Sequence, residues 1–204
     1  MNYLLKILLS IILNIFRYIG ISILVILVIF TLYALPAIFS LPHGIRPGLE
    51  PMTIEEAVAG LRDTGRTDAE LIEEARSMVG ERMVYCRRNS YNSYEKAFKR
   101  GYGFCQQQAF ALARLLKDLG YDAVPVQAIR TQFPDGNIGG HAWVMIYLNG
   151  EALYIDPVYY DPAKQEVTFI PLSQVTGYST FFRILAGWGC ASINAHRFYV
   201  SGSD

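Results

Sequence analysis

Between residues 141 and 156 the chain reads HAWVMIYL, then Asn149-Gly150, then EALYID. Two such runs joined by Asn-Gly make the strongest short-range hairpin signal, because a two-residue turn needs positive φ and Asn-Gly supplies it at little steric cost. The turn also sets the register. Leu148 faces Glu151, Ile146 faces Leu153, Val144 faces Ile155 and Trp143 faces Asp156. Opposed residues share a face of the sheet, as do residues two apart on one strand. His141 and Asp156 thereby become diagonal neighbours on one side of the ribbon, across roughly 7–8 Å of backbone. A carboxylate accepting from one ring nitrogen fixes the tautomer, stabilises the imidazolium and leaves the other nitrogen for proton transfer.

Upstream lies GYGFCQQQAFALARLLKDLGY, residues 101–121. Cys105, Ala109, Leu112, Leu116 and Leu119 recur at four- and three-residue intervals, one stripe of a helix, while Gln107, Arg114 and Asp118 fall on the other side. Gly120 supplies the left-handed stop. The helix opens on Phe104 and Cys105 where a Ser, Thr or Asp cap is expected. A thiol in the first turn collects the helix's partial positive charge and, beside an imidazolium, becomes a better nucleophile. The free N–H groups there can donate to an oxyanion. If this helix packs across the face holding His141 and Asp156, three groups of a thiol enzyme meet.

Elsewhere the pattern predicts two short helices opened by Thr53 with Glu56 and by Thr67 with Glu70, the second stopping at Gly80. A third short helix is capped by Asn92 or Ser93 and ends before Gly101. Strands are expected at DAVPVQAI (122–129), with Pro125 hinting at an edge or a bulge, at EVTFI and at INAHRFYV. Helices precede strands, which argues for an α+β domain with an antiparallel sheet.

The first forty residues are of another kind. No acidic residue precedes Glu50, and Tyr18 to Ser40 carries no charge. About 20 apolar residues cross a bilayer as a helix. The run exceeds the roughly 7–15 residues of a signal peptide's apolar region and ends in YALPAIFS, a poor cleavage site, so residues 1–40 are expected to be an uncleaved transmembrane anchor. Lys6 and Arg17 precede the span and only Arg46 follows closely, which places the soluble part outside the cytoplasm by the positive-inside rule. LPHGIRPGLEP, residues 41–51, reads as a linker; residues 52–204 form one domain. The chain balances 18 Lys+Arg against 18 Asp+Glu, so it shows no electrostatic footprint for nucleic acid. Its three His and three Cys are scattered, giving no metal-ligand cluster, and no cofactor is expected.

Gly103-Phe104-Cys105, His141-Ala142-Trp143 and Asp156-Pro157 together resemble the Gly-x-Cys, His-Ala-Trp and Asp-Pro motifs of the transglutaminase-like branch of the papain-type cysteine enzymes. The resemblance runs from about Met83 to Tyr160. It implies a nucleophile helix packed on an antiparallel sheet, a Cys105–His141–Asp156 triad, and acyl transfer through a thioester on a protein or peptide substrate. The outcome is hydrolysis, as in a cysteine protease or amidase, or transamidation; hydrolysis is preferred because water needs no second binding site. The family's oxyanion Trp before the helix is absent here, leaving Tyr85, Tyr91, Tyr94 or Gln106 as candidates. No acidic cluster has calcium-loop spacing.

Alternatives remain. Cys105 alone would be an ordinary core residue, and the domain a catalytically silent module binding a peptide or a membrane partner. The apolar helix could instead assemble with others. His196 competes as base and Asp161 as acid, though Asp161 reads as a turn residue; His43 reads as a solvated linker residue, Trp143 and Trp188 as packing. Cys86 and Cys190 form either a disulfide or two separate buried thiols.

Overall fold

The computed structural model describes residues 3–40, 44–66, 68–87, 92–148 and 150–179, together with 181, 184–186 and 189. The chain divides into two compact units, one built on residues 1–40 and the other spanning Leu41–Ala191. Described by itself, the first is a single helix, α1 (Tyr3–Ser40). Within it Leu5–Tyr33 is a 29-residue stretch long and apolar enough to cross a membrane, with none of it buried. The helix therefore starts well before the charge-free run and includes Lys6 and Arg17.

The second unit mixes helices with an antiparallel sheet. In chain order it contains α2 (Ile54–Arg62), α3 (Asp68–Arg82), β1 (Val84–Tyr85), α4 (Tyr94–Arg100), β2 (Tyr102–Gly103) and α5 (Cys105–Leu119). Then come β3 (Asp122–Gln132), β4 (Ile138–Leu148), β5 (Glu151–Ile155), β6 (Tyr160–Asp161), β7 (Glu166–Val167), β8 (Ile170–Pro171) and β9 (Thr176–Gly177). The main sheet runs β5-β4-β3-β8, with β9 also on β3. Thr53 caps α2 in a full capping box with Glu56, and Ser93 caps α4, which ends at left-handed Gly101. Thr67 lies outside the described residues, as do the 193–200 strand, His43, His196, Trp188, Cys190 and Tyr91.

Three expectations about element bounds and strand positions need correction. Gly80 does not stop α3, which continues to Arg82; the glycine is instead a place of close approach, since a Cβ there would lie 2.3 Å from the Pro157 carbonyl oxygen. Pro125 marks neither an edge nor a bulge: β3 pairs with β4 along its length and with β8 and β9 on the other side. The Pro125 carbonyl accepts from Tyr178 N at 3.3 Å, and the bulge falls between Ala128 and Thr131. EVTFI is not one strand, because Phe169 turns inward and is almost fully buried, separating β7 from β8.

The sheet has two covered faces. On one, Ala123, Ala142, Val144 and Ile146 pack with α2, α3, α4 and α5. On the other, Val126, Ala128 and Trp143 meet Phe169. Central α5 is buried around most of its girth: Gln106, Gln107 and Gln108 are as buried as Leu112 and Leu116. Gln107 was expected on the wet side, but α5 lies against α2, α3 and α4 as well as the sheet. Before α2, Arg46 N donates to Arg100 O at 2.9 Å and the Glu50 carbonyl accepts from Arg82 at 2.8 Å.

Candidate active site

The hairpin register is the one the turn dictates: Val144 faces Ile155, Ile146 faces Leu153 and Leu148 faces Glu151. β5 ends at Ile155, so Asp156 opens the following loop. Its carboxylate is fixed from both sides. Oδ1 accepts from Val158 N at 2.8 Å and Tyr159 N at 2.6 Å, and Oδ2 sits 2.8 Å from His141 Nε2. Asp156 and His141 are 2% and 7% exposed, so the pair is shielded from solvent competition.

The His141 ring stacks beside Trp143 at 5.9 Å and is edged by Phe133, Tyr159 and Phe169 at 5.2, 5.6 and 4.9 Å. This aromatic collar belongs to the sheet face opposite α5, so the helix does not pack across the histidine's face. The helix tip is the part of α5 that acts on the ring: the Cys105 side chain favours the charged form of His141 through hydrogen bonding and charge. With Nε2 committed to Asp156, Nδ1 is the nitrogen left for the sulfur. The bulge in β3 opposite His141 adds local twist where ring and helix tip meet.

Burial works against a charged ring. Hydrogen bonds to Asp156 and Cys105, reinforced by their charges, outweigh it and push His141 up to about 9. Burial also raises Tyr159, helped by the charges of Asp135, Asp156 and Cys105.

The tip of α5 is braced without a conventional cap. Phe104 occupies the cap position with no capping side-chain bond of its own. Gln107 Oε1 reaches back to Phe104 N at 3.2 Å, its Nε2 donates to Asn92 O at 2.9 Å, and Gln108 Nε2 donates to Met83 O. From sequence Gln107 reads as lying off the buried stripe and Gln106 as an oxyanion candidate, yet Gln107 and Gln108 are struts. Gln106 is 2% exposed, and its Nε2 has no protein partner. Of the other oxyanion candidates, Tyr94 stacks on Phe110 at 5.8 Å, and Tyr85 is half exposed and accepts from Arg87 Nε at 3.1 Å. Trp143 is fully buried and its Nε1 has no partner, consistent with a packing residue.

Asp161 ends β6, and its Oδ1 accepts from Ala163 N and Lys164 N in the turn that follows. Cys86 is half-buried, its N donating to Gly103 O at 3.0 Å. Among the described residues no group of three His, Cys, Asp or Glu is arranged to hold a metal ion.

Residues 55–157, just over half of the chain, match the model of a family described as the transglutaminase-like superfamily. The stretch contains Cys105, His141 and Asp156. The comparison with curated proteins gave no match. Among solved structures, similarity extends to a candidate cysteine protease from Cytophaga hutchinsonii, at 13% identity and TM-score 0.45 over 61% of this chain and 46% of that one. It extends also to a protein described as a TGase, at 14% and 0.42 over 51% and 30%. A third is the periplasmic domain of TgpA from Pseudomonas aeruginosa bound to ethylmercury, at 22% and 0.41 over 55% and 46%. The chain spans less than half the length of each of these structures.

Proposed function

Because the chain belongs to the transglutaminase-like superfamily, we propose that it is a thiol enzyme acting on peptide or carboxamide bonds, with Cys105 as nucleophile, His141 as proton carrier and Asp156 as orienting acid. The observation that carries this reading is the buried imidazole of His141, held by a carboxylate 2.8 Å away and acted on by the thiol at the tip of α5.

Each group has a defined task. His141 Nδ1–H, protonated well above the ordinary histidine range, pairs with the Cys105 sulfur, while Asp156 Oδ2 accepts from Nε2–H and balances the imidazolium. Sγ attacks the carbonyl carbon, and charge moves to the carbonyl oxygen, which N–H groups in the first turn of α5 are suited to receive. The imidazolium returns its proton to the leaving nitrogen as the C–N bond breaks, leaving a thioester on Cys105. Water, or an amine, then gives its proton to Nδ1 and attacks the thioester carbon, releasing acid or amide and restoring the thiol. Hydrolysis is preferred over transamidation because water requires no acceptor site.

Residues 1–40 serve as a membrane anchor in this reading, with the catalytic part outside the cytoplasm. The support is the 29-residue apolar stretch and the basic residues Lys6 and Arg17 on its N-terminal side. An anchored chain stays with the membrane through alkaline extraction; release into the supernatant would refute anchoring.

The reaction is tested by incubating the full chain with peptide libraries, with and without an added primary amine. Cleavage or deamidation lost in Cys105→Ser, and little amine incorporation, is the expected result. Efficient incorporation would reverse the preference for hydrolysis, and turnover that survives Cys105→Ser would exclude the thiol mechanism.

A further inference from the structure

The loop that presents Asp156 is held from outside the triad. Its next residue, Pro157, offers a carbonyl oxygen that accepts from Arg76 Nη1 at 3.1 Å. At Gly80, a Cβ would stand 2.3 Å from that same oxygen. Residues four apart share one helix face, so Arg76 and Gly80 make a single contact on one peptide group. Glycine within a helix is otherwise unfavourable, and here only its missing side chain lets α3 come this near. Arg76 is itself held: Nε and Nη2 engage Glu73 at 2.8 and 2.6 Å, the guanidinium lies 5.2 Å over the Tyr160 ring, and only 12% of the side chain is exposed. On the loop's inner side, the Val158 and Tyr159 amides occupy Oδ1 of Asp156 and leave Oδ2 for His141.

We infer that Arg76 and Gly80 are positioning residues for the acid of the triad: by holding the Pro157 peptide they aim the Asp156 carboxylate at His141. The inference rests on the thiol-enzyme reading and adds α3 to its machinery. Neither residue reaches the reacting atoms. Among the described residues, the charged and titratable groups that act on the His141–Asp156 pair are Cys105 from α5, Tyr159 from the loop and Arg76 from α3. If the loop relaxes, the imidazolium loses its carboxylate and its midpoint falls.

The test uses the full chain in detergent micelles and two readouts: the iodoacetamide alkylation rate of Cys105 at pH 6, located by peptide mass spectrometry, and the His141 ring titration by NMR with labelled histidine. Arg76→Ala is expected to slow alkylation by about tenfold or more and to lower the His141 midpoint by about one unit or more. Arg76→Lys, which keeps a donor for Pro157, recovers part of the loss. Gly80→Ala gives the same shift if it folds; the arginine pair carries the test if it does not. Ser77→Ala, one residue along α3, where the hydroxyl bonds Glu81 instead, matches the parent. A lower melting temperature in Arg76→Ala with both readouts unchanged would overturn the inference and leave the triad reading intact. Alkylation equally fast in parent and His141→Ala would overturn the reading beneath it.

Discussion

His141 keeps its proton against the pull of burial because two partners favour the charged ring. That has a consequence for stability. The folded-state value of about 9 lies above the ordinary histidine value of 6.5, so the stabilisation is complete below about pH 6.5 and is lost as pH rises through 9. The parent's advantage over His141→Ala in urea unfolding should therefore shrink between pH 6 and 10, by on the order of a few kcal/mol. An advantage that is constant or grows with pH would mean that the ring is buried neutral. At this scale the sequence was informative. The Asn149-Gly150 turn placed His141 and Asp156 on one face, since strand register follows from turn length alone. The fixing of Oδ1 by the Val158 and Tyr159 amides was not legible, because it depends on how the loop after Asp156-Pro157 curls.

For the elements, periodicity found α5, with Cys105 in its first turn and its glycine stop, but misjudged its wet side. Gln107 has the polarity of a surface residue and the position of a strut. Its two side-chain bonds join the helix tip to Phe104 and Asn92. Gln107→Leu leaves a buried amide and a carbonyl without partners, which costs about 1–3 kcal/mol, and thermal unfolding should show a corresponding drop. A neutral substitution would mean that the tip is held by packing alone. Gly80 misled for a related reason. Glycine in a sequence signals a stop, whereas in α3 it answers to a loop some eighty residues later, and such long-range crowding leaves no local trace. Likewise, EVTFI alternates as a strand should, yet Phe169 is drawn under His141 and Trp143 at 4.9 Å from each.

Across the whole molecule, the change from helix period to strand period after Gly120 was enough to anticipate an α+β unit with an antiparallel sheet, and the apolar run enough to anticipate a separate N-terminal helix. The sheet order β5-β4-β3-β8 was legible only where a tight turn dictated it, between β4 and β5. The later strands are two residues long and carry too few residues to show a period. What unites the elements of the second unit is a chemical proposal: the first turn of a buried helix, one hairpin strand and the loop after the other supply a sulfur, a base and an acid to one site. The most direct test is the pH dependence of Cys105 alkylation by iodoacetamide between pH 5 and 8, in the parent and in His141→Ala. The account predicts a thiol that reacts readily at pH 6 in the parent and becomes sluggish there in the variant. Rates that follow an ordinary thiol titration in both proteins would contradict it.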